Sequence, residues 1–121
     1  MASFSYGNKG NNVSDYDVVK AAFKTLRQQG INAHIIRGSH EKGLLYRTSW
    51  GAAPFATFTS ESIRNVVDLD GAIRPNQRIN VQWQGDPWLL MQVFKDAGLI
   101  VSWNGSEHSC IQIVGAAHGI T

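Results

Sequence analysis

The chain has 121 residues, 43% hydrophobic, 17% charged and 10% aromatic, with Lys and Arg numbering 11 against 9 Asp and Glu for a formal net charge of +2. That length suffices for one hydrophobic core, so a single domain over residues 1–121 is expected. The low charge excludes a solvated disordered tail, and the near balance makes no case for nucleic-acid binding. A single cysteine excludes an internal disulfide framework or a multi-cysteine zinc site.

Residues 1–12 are rich in Gly, Asn and Ser. They read as a loose N-terminal segment unless Phe4 and Tyr6 pin an extra strand to a sheet edge. They carry no apolar run behind a basic start, hence no signal peptide. No stretch of the chain approaches the ~20 apolar residues of a membrane span. With Cys110 as its one thiol, the expectation is a cytoplasmic protein.

The first helix is predicted over residues 15–29. Ser14 is its N-cap and Asp17 the capping-box partner, and the two aspartates of its first turn suit the positive end of the dipole. Val18, Val19, Ala22, Phe23 and Leu26 make one apolar stripe, and Gly30 is a left-handed stop. Residues 31–37 then read as a strand, 38–43 as a hairpin loop and 44–50 as the return strand. In residues 51–58, Pro54 argues against a central strand. Residues 60–67 read as a short helix or, alternatively, an edge strand. Asp70-Gly71 and Arg74-Pro75-Asn76 are turns.

Ile79, Val81 and Trp83 alternate with polar residues, as in a half-buried strand. Asp86 then caps a helix with Pro87 at its first position. Leu89, Leu90, Val93, Phe94 and Ala97 form its stripe, and Gly98 ends it. Residues 99–103 and 110–114 form a hairpin around the turn pair Asn104-Gly105, leaving residues 115–121 as a tail. The two halves share a plan of helix, strand and strand, the second preceded by a strand. The predicted fold is α+β: an antiparallel sheet with two helices on one face. Its other face is solvated or binds.

Residues 79–114 carry V-x-W-x-G-D-P, a helix, D-A-G-L-x-V-x-W-N-G-S and I-x-I. This stretch resembles the C-terminal half of a bacterial domain-of-unknown-function family of small cytosolic proteins. The cysteine-rich segment of those proteins is absent here. The resemblance implies an α+β fold and carries over no catalytic residue.

Two chemistries compete with plainer readings. His40-Glu41 and Glu107-His108 occupy corresponding hairpin tips, where two imidazoles and two carboxylates would make an acid–base pair or metal site. The plainer reading is polar decoration of exposed tips, since no H-x-H or H-x-x-x-H spacing occurs. His34 and His118 have no nameable partner. Cys110, two residues after His108, reads as a nucleophile only if an electropositive site activates it; between apolar residues it reads as a packed thiol. No G-x-G-x-x-G or Walker pattern occurs, so no cofactor is expected.

Binding residues are sought among arginines and aromatics. Arg37 and Arg47 fall on adjacent strands of the first predicted hairpin, as an anion-binding pair or as solvated strand-edge charges. Of four tryptophans, Trp83 and Trp103 are assigned to the core by strand parity. Trp50 with Pro54, Phe55 and Phe58 forms an exposed aromatic patch or a satellite core under a loop. Trp88 lies beside the second helix's stripe. The expected function is a small non-enzymatic binding module for a protein partner or a small anionic ligand. Its size is that of bacterial or phage immunity and counter-defence proteins, an association of size alone. The alternatives are an enzyme using His40, Glu41, Glu107 and His108, or a homo-oligomeric structural module.

Overall fold

The computed structural model describes residues 13–116, so the expectations for residues 1–12, Phe4, Tyr6 and His118 lie outside it. The described residues form, in order, α1 (Asp15–Gln28), β1 (Asn32–Ile36), α2 (His40–Trp50), β2 (Phe55–Thr59), a short 3-10 helix (Glu61–Ile63), β3 (Ile79–Gln84), α3 (Pro87–Asp96), β4 (Leu99–Ser102) and β5 (Ile111–Ala116). No helix among them is long and apolar enough to cross a membrane.

The strands make one sheet in the order β1-β2-β3-β5-β4. β1 and β2 pair in parallel; β2–β3, β3–β5 and β5–β4 pair antiparallel. The sheet is therefore mixed, and it carries three helices rather than two. The predicted α+β class holds, and the two predicted helices, α1 and α3, share one face; the purely antiparallel sheet and the count of two helices are wrong for the described residues. The cause lies in residues 38–50. Parallel neighbours cannot be joined by a tight hairpin and need a crossover, and α2 is that crossover. Ser39 caps it through a bond from the Lys42 amide, and Glu41 sits in its first turn.

β2 corrects a second expectation. Pro54 lies just before the strand, where a missing N–H costs nothing, and its carbonyl accepts from the Asn32 amide, 3.2 Å away. Phe55–Thr59 is buried throughout, because both of its faces are covered. Residues 60–67 realise the short-helix alternative for one turn only. They hold the 3-10 turn and end in an isolated bridge from Val67 to Ile73. Residues 115–116 belong to β5 rather than to a tail.

Elsewhere the local chemistry is as expected. Ser14 and Asp17 form a complete capping box on α1. The Asp86 carboxylate caps α3 by accepting from the Trp88 and Leu89 amides, 3.0 and 3.3 Å away. Gly30 and Gly98 stop α1 and α3 with φ of 84° and 102°.

Residue parity places the layers. Ala33, Ala56, Phe58, Ile79, Val81, Ile111 and Ile113 face a common core with Val19, Phe23 and Leu26 of α1 and Leu90 and Phe94 of α3. Phe23 binds the layers together, edge-on to Phe58 at 5.4 Å and stacked with Phe94 at 6.0 Å. His34, Phe55 and Thr59 have the opposite parity and meet α2. So α1 and α3 cover one face, and α2 covers the β1–β2 half of the other. The remaining half presents Asn80, Gln82, Ser102 and Gln112.

Candidate functional site

A recess of about 280 Å³ opens between α2 and the exposed edge of β1. It is lined by His34, Ile35, Ile36, Arg37, Lys42, Tyr46 and Trp50. The chain reaches this arrangement through a tight turn after β1. The Ile36 carbonyl accepts from Ser60 N–H at 2.8 Å, and the Gly38 N–H donates to Ser60 Oγ at 2.8 Å. Gly38 has φ of 139°, and the Lys42 stem lies over it, 2.9 Å from where a Cβ would stand. A side chain there would displace Lys42 from the rim.

Lys42, Tyr46 and Trp50 follow at intervals of four, which puts them on one face of α2. The Trp50 ring lies 5.8 Å from His34 and 6.0 Å from Tyr46, with Phe55 behind it at 5.4 Å. Aromatic rings thus form the inner wall, with Arg37 and Lys42 as the cations. No carboxylate lines the recess, and among the described residues none pairs with Arg37 or Lys42. Partial burial, then the charge of Arg27, hold the His34 imidazole below its ordinary value of 6.5. At neutral pH it is an uncharged ring. Arg27 also donates to the Ala33 carbonyl at 2.7 Å, occupying part of the β1 edge that another strand would need.

The residues singled out in the sequence divide. Arg37 and Trp50 line the recess together. Arg47 is on α2 and not on a strand facing Arg37, so the predicted strand pair of arginines does not exist. Its charge is felt by the Cys110 thiol, over the other half of the sheet. Phe55 is buried behind Trp50, and Phe58 is 2% exposed in the core. The predicted exposed patch therefore reduces to the half-buried Trp50 and the exposed Pro54. Trp88 is 68% exposed at the start of α3, edge-on to Trp103 at 5.3 Å. His34, Lys42 and Tyr46 were missed. The signal for Lys42 and Tyr46 was the four-residue spacing of 42, 46 and 50, legible only once residues 40–50 are a helix; His34, on β1, had none.

The acid–base constellation is not assembled. His40 and Glu41 open α2, at the end of the sheet where β1 finishes; the His40 N–H donates to Glu61 Oε1 at 2.9 Å. Glu107 and His108 lie in the loop between β4 and β5, at the opposite end, 3.8 Å from each other and largely exposed. Strand direction and order separate the pairs by three to four strand spacings of ~4.8 Å and by roughly 17 Å of strand length. Proton transfer between them is out of reach. Among the described residues no group of three or more His, Cys, Asp or Glu is placed to hold a metal ion. Burial pushes the Cys110 thiol up, with Arg47 opposing; a protonated thiol is the opposite of an activated nucleophile.

No family model matches this chain, and no curated protein or solved structure does either. The motifs of residues 79–114 are accounted for by their local work: Asp86 and Pro87 start α3, Gly98 ends it, and Asn104 Oδ1 accepts from the Ser106 amide to turn the chain.

Proposed function

We propose that the protein is a small binding module whose ligand is an organic anion carrying a flat ring, held in the recess between β1 and α2. The observation that supports this most is the pairing of two unpartnered cations, Arg37 and Lys42, with the Tyr46 and Trp50 rings around one recess free of carboxylates. Cations hold an anionic group by charge-assisted bonds, and the rings stack on a planar body. The volume, about 280 Å³, lies at the small end of ligand sites, favouring one ring with one acidic group over a large cofactor.

Calorimetry with phenyl phosphate, against inorganic phosphate and phenol, tests this. Phenyl phosphate is expected to bind more tightly than either fragment. Arg37→Gln and Lys42→Gln are each expected to weaken it by about tenfold or more, the worth of one charge-assisted bond. Equal affinity in wild type and both variants, or no binding at millimolar concentration, defeats the reading.

A second reading rests on Leu44 and Leu45, which are 51% and 71% exposed on α2. Adjacent exposed leucines suit a covered helix face, and so a protein partner or a second copy of the chain. Sedimentation at several concentrations separates the two. Self-association abolished by Leu45→Glu supports the second copy, and a monomer throughout removes it.

A further inference from the structure

A different recess, of about 360 Å³, lies at the end of the sheet where β3 passes into α3. It is lined by Trp83, Gln84, Gly85, Pro87, Trp103, Gly105 and Glu107. The two indole planes stand at 89° with centroids 5.7 Å apart, so they make adjoining perpendicular walls. Trp88 braces Trp103 from outside, also edge-on.

The side-chain N–H donors of these walls are already used. Trp83 Nε1 donates to the Ser109 carbonyl at 2.8 Å, and Trp103 Nε1 to the Ser106 carbonyl at 2.9 Å. Gln84 Nε2 donates to the Gly51 and Ala53 carbonyls. The indoles therefore offer π surface and no N–H donor, which disfavours an anion or a sugar hydroxyl. Glu107 is the one charged residue in the lining, and its carboxylate is largely exposed, so negative charge stands at the mouth. The positive end of α3 beside it is already capped by Asp86.

We infer that this recess binds a quaternary ammonium group. Such a cation has no N–H to satisfy, is drawn to the faces of tryptophan and is balanced by a single carboxylate. A primary ammonium would lose its hydrogen bonds to water and find few side-chain acceptors, Glu107 and Gln84 Oε1, to replace them. The same chemistry occurs on a free trimethylammonium compound and on a trimethylated lysine side chain.

The test is titration of the intact protein, followed by NMR shifts of the indole N–H signals, with choline and its uncharged carbon isostere 3,3-dimethylbutanol. Choline is expected to shift the Trp83 and Trp103 signals and to bind at least about fivefold more tightly than the isostere, within the range of a cation–π contact. Glu107→Gln, at an exposed loop position, is expected to weaken choline several-fold while leaving the thermal midpoint unchanged. A peptide bearing trimethyllysine, compared with its unmodified form, identifies the source: tighter than choline means a modified chain, weaker means a free small molecule. Equal binding of choline and the isostere, or no indole shift up to ~50 mM choline, overturns the inference; ~50 mM is about 1.8 kcal/mol of binding free energy. Neither result bears on the β1–α2 recess, which lies on other residues.

Discussion

His34 reports on its recess through pH. Its lowered proton affinity means that the unfolded chain takes up the proton first as pH falls through about 6.5. The contribution to stability is complete above that value. It is lost below it, until the folded protein protonates too. His34→Gln should therefore flatten the acid side of a plot of thermal midpoint against pH, and an unchanged slope between about pH 5 and 6.5 would refute the assignment. Ligand binding should move the opposite way. An imidazolium adds a third cation beside Arg37 and Lys42, so phenyl sulfate, whose single negative charge does not change over this range, should bind more tightly at about pH 5 than at pH 7.5. The tryptophans were half legible at this level. Parity placed Trp83 and Trp103 against the core, where they are partly buried. It was silent on Trp50, whose surroundings depend on which element carries it, and on the right-angled meeting of Trp83 and Trp103.

α1 and α3 were readable as helices because each buries a broad stripe: Val19, Ala22, Phe23 and Leu26 in one, Leu90, Val93 and Phe94 in the other. α2 has no such stripe. Its one buried residue is Gly43, and so Leu-Leu-Tyr-Arg-Thr-Ser-Trp reads more naturally as a strand. Gly43 explains how the helix packs at all. A Cβ there would stand 2.7 Å from Thr59 Cγ2 on β2, so the helix backbone approaches the sheet directly. Two effects compete in Gly43→Ala. Alanine gains ~1 kcal/mol of helix propensity, while overpacking against buried Thr59 costs ~1–3 kcal/mol. We expect net destabilisation in urea unfolding. In a Thr59→Ser background, which removes the methyl group, the same substitution should become neutral or stabilising. A stabilising Gly43→Ala in the wild type would show that α2 is not so closely seated.

Taken together, the molecule is unevenly built. The core draws on α1, α3 and all five strands, and no α2 residue belongs to it. α2 should therefore open before the rest. Native-state hydrogen exchange is expected to show amides at residues 44–50 exchanging at a lower free energy than those at 19–26 in α1. Exchange of both only through global unfolding would contradict this. The consequence for function is direct, because α2 carries one wall of the β1–α2 recess, and ligand bound there should raise protection at 44–50 first.

The amino-acid sequence alone specified caps, stops and amphipathic stripes, each a property of neighbours within a turn or two: Ser14 with Asp17, Asp86 with Pro87, Gly98 after α3. It specified most of the second half of the fold, where strand and helix periods are clean. The parallel pairing of β1 with β2, the burial of Phe55 and Phe58, the separation of Glu107-His108 from His40-Glu41, and both recesses were decided only in three dimensions. A strand covered on both faces shows no alternation. A helix seated through glycine shows no stripe. Sites assembled from β1 with α2, or from β3 with the β4–β5 loop, bring together residues from distant parts of the chain, which no local period records.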